Sequence, residues 1–306
     1  MPEKNLSVSI VLPNWNGAYL LNRNLPSVIA ASNGAEIIVT DDASTDESVD
    51  LLKEKFPQVK VVANGLRQGF AGNVNCGVAR AHSDLVVLLN TDVQPQKGFL
   101  PPLLHHFREA QVFAVGCLEE SHEQGRVTLR GRGEAKWKKG YFIHERGEIN
   151  RSDTAWVAGG SGAFRKKYWD QLGGMDTLYN PFYWEDIDLS YRALKAGYKL
   201  VFEPQSVVGH FHEEGKIQRE YTPTEVKRIV YRNQFIFIWK NLSDGRLIRQ
   251  HAFWTPIRLL QALTSGDFLM WQGYLGALWR LPQILARRLA QSRLWRKKDS
   301  EIFPEK

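Results

Sequence analysis

Three groups of residues in this chain have types and positions that could do chemistry. Asn90-Thr91-Asp92 follows five consecutive apolar residues, Leu85 to Leu89, the pattern of a strand buried on both faces of a parallel sheet. The polar end of such a strand lies at the carboxyl edge of the sheet, where open α/β folds bind ligands, so Asp92 is placed to hold a diphosphate-bound metal ion. A helix N-cap is the competing reading of the triplet. Glu185 and Asp186 form the second group, in the first turn of a helix on which Ile187, Tyr191 and Leu194 share a face and which Gly197 suits as a stop. Acids there are favoured by the helix dipole, which leaves a purely structural reading of the pair open. The third is His210, at the end of the apolar run through Val207 and Val208; a histidine so placed is more often structural than a ligand. His212, two residues on, would point to the opposite face of a strand, so at most one of the two faces a site.

The elements that must position these groups alternate strand and helix. Ser7 to Leu12 reads as a strand ending in Pro13-Asn14-Trp15-Asn16-Gly17, followed by a helix carrying Tyr19, Leu20, Leu25 and Val28. Glu36 to Thr40 repeats the pattern and stops at Asp41-Asp42, and Ser44 or Thr45 can cap the next helix, to about Phe56. Val59 to Ala63 is a third strand, and Gly69-Phe70-Ala71-Gly72 opens a helix through Asn73 and Asn75 to Arg80. This alternation implies a doubly wound, mostly parallel sheet. Polar clusters then follow three strands at one edge: Asn14 to Asn16, Asp41-Asp42 and Asn90 to Asp92. The glycine spacings of dinucleotide folds and P-loops are absent, which argues against hydride transfer and P-loop kinase chemistry. Between Glu119 and Asp153 the apolar periodicity fades into a glycine-punctuated basic and aromatic stretch, expected as a hairpin or loop shaping an acceptor groove. Regularity returns at Ala155 to Phe164, where Gly159-Gly160-Ser161-Gly162 allows a close backbone approach.

With 306 residues, 43% hydrophobic and 24% charged, the chain is globular in composition and long enough for one large α/β domain plus an appendage. Cys76 and Cys117 show no metal-type spacing, and no basic-then-apolar leader precedes the first strand; the expectation is a reduced cytosolic setting. The net charge of +7 is unevenly placed: residues 1–244 hold 29 Lys+Arg and 29 Asp+Glu, whereas 245–298 hold 10 Lys+Arg against Asp267 alone. That predicts an anionic partner for the C-terminal end.

The motifs together resemble the family 2 inverting glycosyltransferases with the GT-A fold, most of all a rhamnosyltransferase-like branch acting on bacterial surface polysaccharides. The similarity runs from about Ser7 to Leu242 and rests on residues 11–17, 41–46, 69–75, 89–92, 173–176 and 184–189 with His210, in the family's order. It implies a nucleotide-diphospho-sugar transferase fold with a C-terminal helical appendage: a catalytic domain over 1–244, its donor half about 1–118 and its acceptor half about 119–244, then a basic amphipathic segment over 245–306. It implies a nucleotide-diphosphate sugar, dTDP-rhamnose or a UDP-sugar, as donor and a lipid-linked saccharide as acceptor in polysaccharide biosynthesis. Pro13 and Asp42 match base-holding positions, and Asn14, Asn16, Asn75, Asn90, Thr91 and Asp92 complete the nucleotide-sugar set. Asp92 matches the last acid of an Asp-X-Asp motif that binds divalent metal, Mg2+ or Mn2+, with Asn90 in place of the first acid; His210 is the further metal ligand implied. Asp186 corresponds to the general base, with Glu185 beside it.

Beyond Asp244, Trp254, Trp271, Trp279 and Trp295 are interspersed with leucines and arginines, and no uncharged apolar run approaches the roughly 18 residues that span a bilayer. Basic tryptophan-bearing amphipathic helices suit an interface, so the expectation is a peripheral protein on the cytoplasmic face of the membrane. Helices packed on the catalytic domain or across a homodimer interface are the alternative; nucleic acid is not an expected partner. A sugar-nucleotide nucleotidyltransferase and a non-catalytic saccharide-binding protein are the rival functions.

Overall fold

The computed structural model describes residues 6–123, 125–211 and 219–303. Strands β1 (Val8–Asn14), β2 (Glu36–Asp41), β3 (Lys60–Ala63) and β4 (Leu85–Leu89) lie parallel in the order β3-β2-β1-β4, linked by α1 (Ala18–Ala31), α2 (Ser48–Lys55) and α3 (Gly69–Arg80). Alternation along β1 and β4 divides their side chains between two cores. Ile10, Leu12, Val87 and Leu89 pack with Leu21, Leu25 and Val28 of α1, whereas Val11, Val86 and Leu88 pack with Val74 and Val78 of α3. Helices cover both faces, so β4 is buried at every position.

The rest of the sheet is mixed. The chain continues through β5 (Val93–Pro95), α4 (Leu100–His105), β6 (Val112–Glu123), β7 (Arg126–Arg130), β8 (Gly133–Lys138), β9 (Tyr141–Arg146) and β10 (Ser161–Arg165) to α5 (Lys166–Leu172), α6 (Glu185–Lys195) and β11 (Lys199–His210). β10 runs antiparallel to both β4 and β6, and β11 parallel to β6, giving the order β3-β2-β1-β4-β10-β6-β11-β5. The stretch expected as a hairpin or loop forms two antiparallel pairs, β6 with β7 and β8 with β9. β11 carries Pro204 within its span, because a register shift between Glu203 and Val207 lets this proline, which has no N–H to give, stand outside the ladder.

Helices α7 (Pro223–Asn241), α8 (Gly245–Thr264), α9 (Phe268–Trp279), α10 (Leu281–Ser292) and α11 (Asp299–Ile302) complete the described chain. α7 opens with a capping box: Glu225 N donates to Thr222 Oγ1 at 3.3 Å and Thr222 N to Glu225 Oε2 at 2.8 Å. Leu247, Leu259, Met270, Ala277 and Ile284 share a third core with Phe142, Trp184, Ile187, Phe235 and Phe237. Gly273 lets α9 approach α7 closely, since a Cβ there would lie 2.6 Å from that of Tyr231. Asp299, fully buried, accepts from Lys195 Nζ at 2.8 Å and from the N–H groups of Ser243 and Asp244 at 2.6 Å. The helices after Asp244 thus share a core and a buried ion pair with α6. No helix among the described residues is long and apolar enough to cross a membrane.

Candidate active site

Parallel, in-register strands bring their carboxyl ends level. Asn14 at the end of β1 pairs with Asp41 at the end of β2, and Asn14 Nδ2 donates to Asp41 Oδ2 at 2.7 Å. Next to them Asp42 accepts from the N–H groups of Gln68 and Gly69 at 2.6 and 2.9 Å, holding the turn that starts α3. These residues form one wall of a cleft of about 540 Å3, a size that suits a nucleotide sugar. Pro13, Asn14, Asp42, Asn90, Thr91, Asp92, Glu185, Asp186 and His210 all line it.

Asn16 and Asn75 do not. Asn16 Oδ1 accepts from Thr45 N at 2.7 Å, and Asn75 is pinned on the backbone of Met175, donating to its O at 2.8 Å and accepting from its N at 3.0 Å. Both amides therefore shape the walls from behind: Asn16 ties the β1 turn to the β2 turn, and Asn75 ties α3 to the loop before α6. His212 lies outside the described residues.

Asp92 and His210 are 118 residues apart in sequence and become neighbours because β5 pairs antiparallel with β11, setting Val93 against His210. His210 Nε2 lies 3.4 Å from Asp92 Oδ1, and Nδ1 lies 3.3 Å from Glu119 Oε2. Glu119 in turn accepts a short hydrogen bond from Ser161 Oγ. Burial works against the imidazolium, yet the two flanking carboxylates outweigh it and raise His210 to about 10. Asp92 Oδ1 is buried without a directed hydrogen bond.

This chemistry fits a hard divalent ion. No group of three or more His, Cys, Asp or Glu side chains with metal-site geometry occurs among the described residues, but magnesium-like ions commonly take one or two protein ligands and complete their shell with substrate phosphates and water. Asp92 would supply an anionic oxygen and His210 a nitrogen once Nε2 is unprotonated. Glu119 then accepts from Nδ1 and fixes the ring, as carboxylates behind metal-bound histidines do. Sequence reasoning missed Glu119; the signal was there, since it closes the apolar run from Val112 to Leu118 just as Asp92 follows β4.

The acidic pair enters from the other side. Tyr183 and Trp184 hold φ of +67° and +79°, a strained left-handed step that turns the chain into α6 and seats Trp184 in the third core. Asp186 then faces the glycine turn before β10: its Oδ2 accepts from Gly159 N at 3.3 Å and its Oδ1 from Ile187 N at 2.7 Å. At Gly160 a Cβ would fall 2.3 Å from Asn90 Nδ2, so a side chain there would displace the Asn90 amide from the turn. Burial raises the carboxyls of both Glu185 and Asp186, and most strongly that of Glu185, whose Oε2 is buried without a partner and lies near the Asp186 charge. Glu185 therefore keeps its proton the longer, while two N–H donors favour the carboxylate of Asp186.

Asp188, the next acid along α6, is kept from the cleft by its contacts. It is fully buried and accepts from Arg192 Nε at 2.7 Å, Lys240 Nζ at 2.8 Å, Tyr179 OH at 2.7 Å and Asn241 Nδ2 at 2.7 Å. At the Pro13 and Asn14 end of the cleft, the Arg67 guanidinium stacks 3.4 Å from the Trp15 ring centroid, forming a flat wall that sequence reasoning also missed.

Residues 9–172, more than half of the chain, match the family model described as Glycosyl transferase family 2. The chain is 26% identical over 289 residues to polypeptide N-acetylgalactosaminyltransferase 6 of Mus musculus, covering 82% of this chain and 46% of that protein. It is 28% identical over 208 residues to the pre-mycofactocin glycosyltransferase of Mycobacterium tuberculosis, covering 67% and 43%. The chain thus spans less than half the length of these two relatives. Its fold is similar to that of a mannosyltransferase from Pyrobaculum calidifontis solved in complex with GDP-Man and Mn2+, with a TM-score of 0.58 at 18% identity over 98% of this chain and 79% of that one.

Proposed function

From the premise that this chain belongs to glycosyl transferase family 2, we propose that it moves one sugar, with inversion, from a nucleotide-diphosphate donor to a lipid-linked saccharide. The observation that carries this reading is a single cleft with a buried Asp92–His210 pair on one wall and the Asp186 carboxylate on another. In the reaction Asp186 takes the proton of an acceptor hydroxyl as that oxygen attacks the anomeric carbon from the face opposite the diphosphate. The carbon–oxygen bond to the diphosphate breaks, and its electron pair leaves with the nucleoside diphosphate. Pro13, Asn14 and the Trp15–Arg67 wall receive the nucleoside, and Asn90, Thr91 and Asp92 the diphosphate. A divalent ion on Asp92 and His210 would offset the charge that develops on the leaving group. Incubation with dTDP-rhamnose and UDP-sugars and a lipid-linked saccharide, with product anomer read by NMR, tests the reading; a retained anomeric configuration would overturn it.

Metal use gives a prediction. Asp92→Asn keeps size but removes the charge facing the ion, so Mn2+ affinity in the presence of nucleoside diphosphate should fall about tenfold to a hundredfold. Calorimetric titration of Mn2+ checks this, and an unchanged affinity would remove Asp92 from the site.

The acceptor assignment is supported by the outer surface of the last helices. Trp279 is 87% exposed and Leu289 77%, and Phe253, Leu260, Phe268, Leu275, Leu278 and Leu285 are exposed on the same three helices, α8 to α10, whose sequences are interspersed with arginines. Exposed apolar side chains with a basic surround suit a bilayer interface, which supports reading the protein as a peripheral one on an anionic membrane surface. Burying a Trp or Leu side chain contributes about 1.5–3 kcal/mol, so Trp279→Ser with Leu289→Ser should weaken binding to anionic vesicles by at least about tenfold. Equal co-sedimentation of parent and double variant would exclude this face. Truncation at Asp244 is not a clean alternative, since it strips Asp299 from buried Lys195.

A further inference from the structure

A second cavity, of about 430 Å3, lies outside the cleft, between the segment Thr177 to Asn180 and the first turns of α10, with Arg280, Gln283 and Arg287 on its wall. Its charge is unusual for a structural crevice. Arg228, Arg232 and Arg280 make no ion pair among the described residues. Arg232 donates to Asn180 O at 2.6 Å and Arg280 to Gly276 O at 3.0 Å, both neutral acceptors. Arg287 lies 3.7 Å from Asp176 Oδ1, whose other oxygen Lys240 holds at 2.6 Å. Arg280 and Arg287 thus line the cavity, Arg232 lies close to Arg280, and the one carboxylate within reach of Arg287, Asp176, is already paired with Lys240.

We propose that this cavity is a phosphate-binding site, formed chiefly by Arg280 and Arg287, that seats the phosphate of a membrane lipid beside the catalytic cleft. Planar guanidinium groups take phosphate oxygens in pairs, and the open N–H groups at the start of α10 add to the field an anion meets there. Burial first, and then repulsion from the nearby Arg280 and Arg228, lowers Arg232, which stands beside the cavity wall, to about 10. A bound anion relieves that repulsion.

Two placements favour a lipid over a free ion. Arg280 directly follows the exposed Leu278 and Trp279, and Leu285 and Leu289 are exposed on α10, the helix that carries Arg287, so a headgroup held by the arginines would have exposed apolar side chains of the same two helices to receive its chains. The other placement is the wall itself. Asn180 lines this cavity, and Pro181, Phe182 and Tyr183 line the catalytic cleft, so one short segment separates the two. Three residues span at most about 11 Å, the reach of a diphosphate and its first sugars. The inference rests on the membrane-acceptor reading above and assigns it an anchoring point.

The test uses the full chain and its R280Q/R287Q variant, with R246Q/R249Q, which removes the same charge from exposed positions on α8, as the comparison. Vesicles of phosphatidylcholine carry either phosphatidic acid or phosphatidylglycerol at matched surface charge. Melting temperature and donor affinity confirm that the variants are folded. The parent and R246Q/R249Q should prefer phosphatidic acid, and R280Q/R287Q should lose that preference by at least about tenfold. Inorganic pyrophosphate, titrated by calorimetry, should show a binding component present in the parent and missing from R280Q/R287Q.

Equal losses in both double variants would overturn the site and leave only diffuse charge. Vesicle binding that R280Q/R287Q leaves intact overturns the site but not the membrane reading. Pyrophosphate binding that depends on Arg280 and Arg287, with no vesicle binding by the parent, overturns the lipid source and the membrane reading together, and assigns the cavity to free phosphate.

Discussion

Asp186→Asn should lower single-turnover sugar transfer by about 10²–10⁴ while leaving donor affinity nearly unchanged. The asparagine oxygen can still accept from Gly159 N or Ile187 N, so the local backbone has little reason to move, but the amide cannot take the acceptor's proton. If Asp186 served only the helix dipole, the change would cost about 0.3–1 kcal/mol of stability and leave turnover intact. Glu185→Gln is the matched comparison: a glutamine mimics the protonated acid, so its effect should be small. Donor affinity by calorimetry and transfer by quenched flow separate the outcomes. Transfer within about fivefold of the parent would take Asp186 out of the mechanism, and a large loss in Glu185→Gln instead would move the role one residue back. The pH profile should agree. Burial raises the Asp186 carboxyl from its ordinary value, and a base works only unprotonated, so activity should fall on the acid side at a higher pH than an unperturbed aspartate would set.

Two residues on, the same kind of side chain should have the opposite phenotype. Asp188→Ala should destabilise the fold by about 3–5 kcal/mol, because it leaves Arg192 and Lys240 buried without their shared carboxylate. Lys240 keeps Asp176 at 2.6 Å, which limits the loss to part of the network. Burial alone would raise Asp188, but Lys240 and then Arg192 outweigh it and hold its carboxyl well below the usual range. Because the folded value is depressed, the contribution is complete above the unfolded value and is lost as pH falls through the folded one; neutral and mildly acidic solutions retain it. Urea unfolding of parent and variant at neutral pH measures the difference. A loss under about 1 kcal/mol would show that the network contributes no more than a surface ion pair.

Much of this protein was legible before any coordinates. β4 reads as a strand because five apolar residues end in three polar ones, and α6 as a helix because Ile187, Tyr191 and Leu194 share a face that Gly197 brings to a stop. Those signals are local: a period of two or of 3.6 residues, a cap or a glycine stop is written within a few positions of the element it marks. The polar strand ends at 14, 42 and 90–92 converge because parallel strands leave no other arrangement of their carboxyl edges, so one wall of the cleft followed from the pattern.

What the tertiary structure decided concerns direction and partnership. Asp186 and Asp188 are about 200° apart around one helix, and only the packing of α6 against α7 and the glycine turn shows which carboxylate meets the cleft and which meets Lys240 and Arg192. Glu119 stands behind His210 because β6 and β11 run side by side, a pairing between residues 91 apart that no short-range pattern encodes. Asn75 turns away to Met175 for the same kind of reason. The basic last helices read as a separate appendage by charge, yet they bury one face in a core shared with α6 and α7 and leave the other exposed. Charge and periodicity describe a helix singly; the side it buries depends on a neighbour supplied from far along the chain.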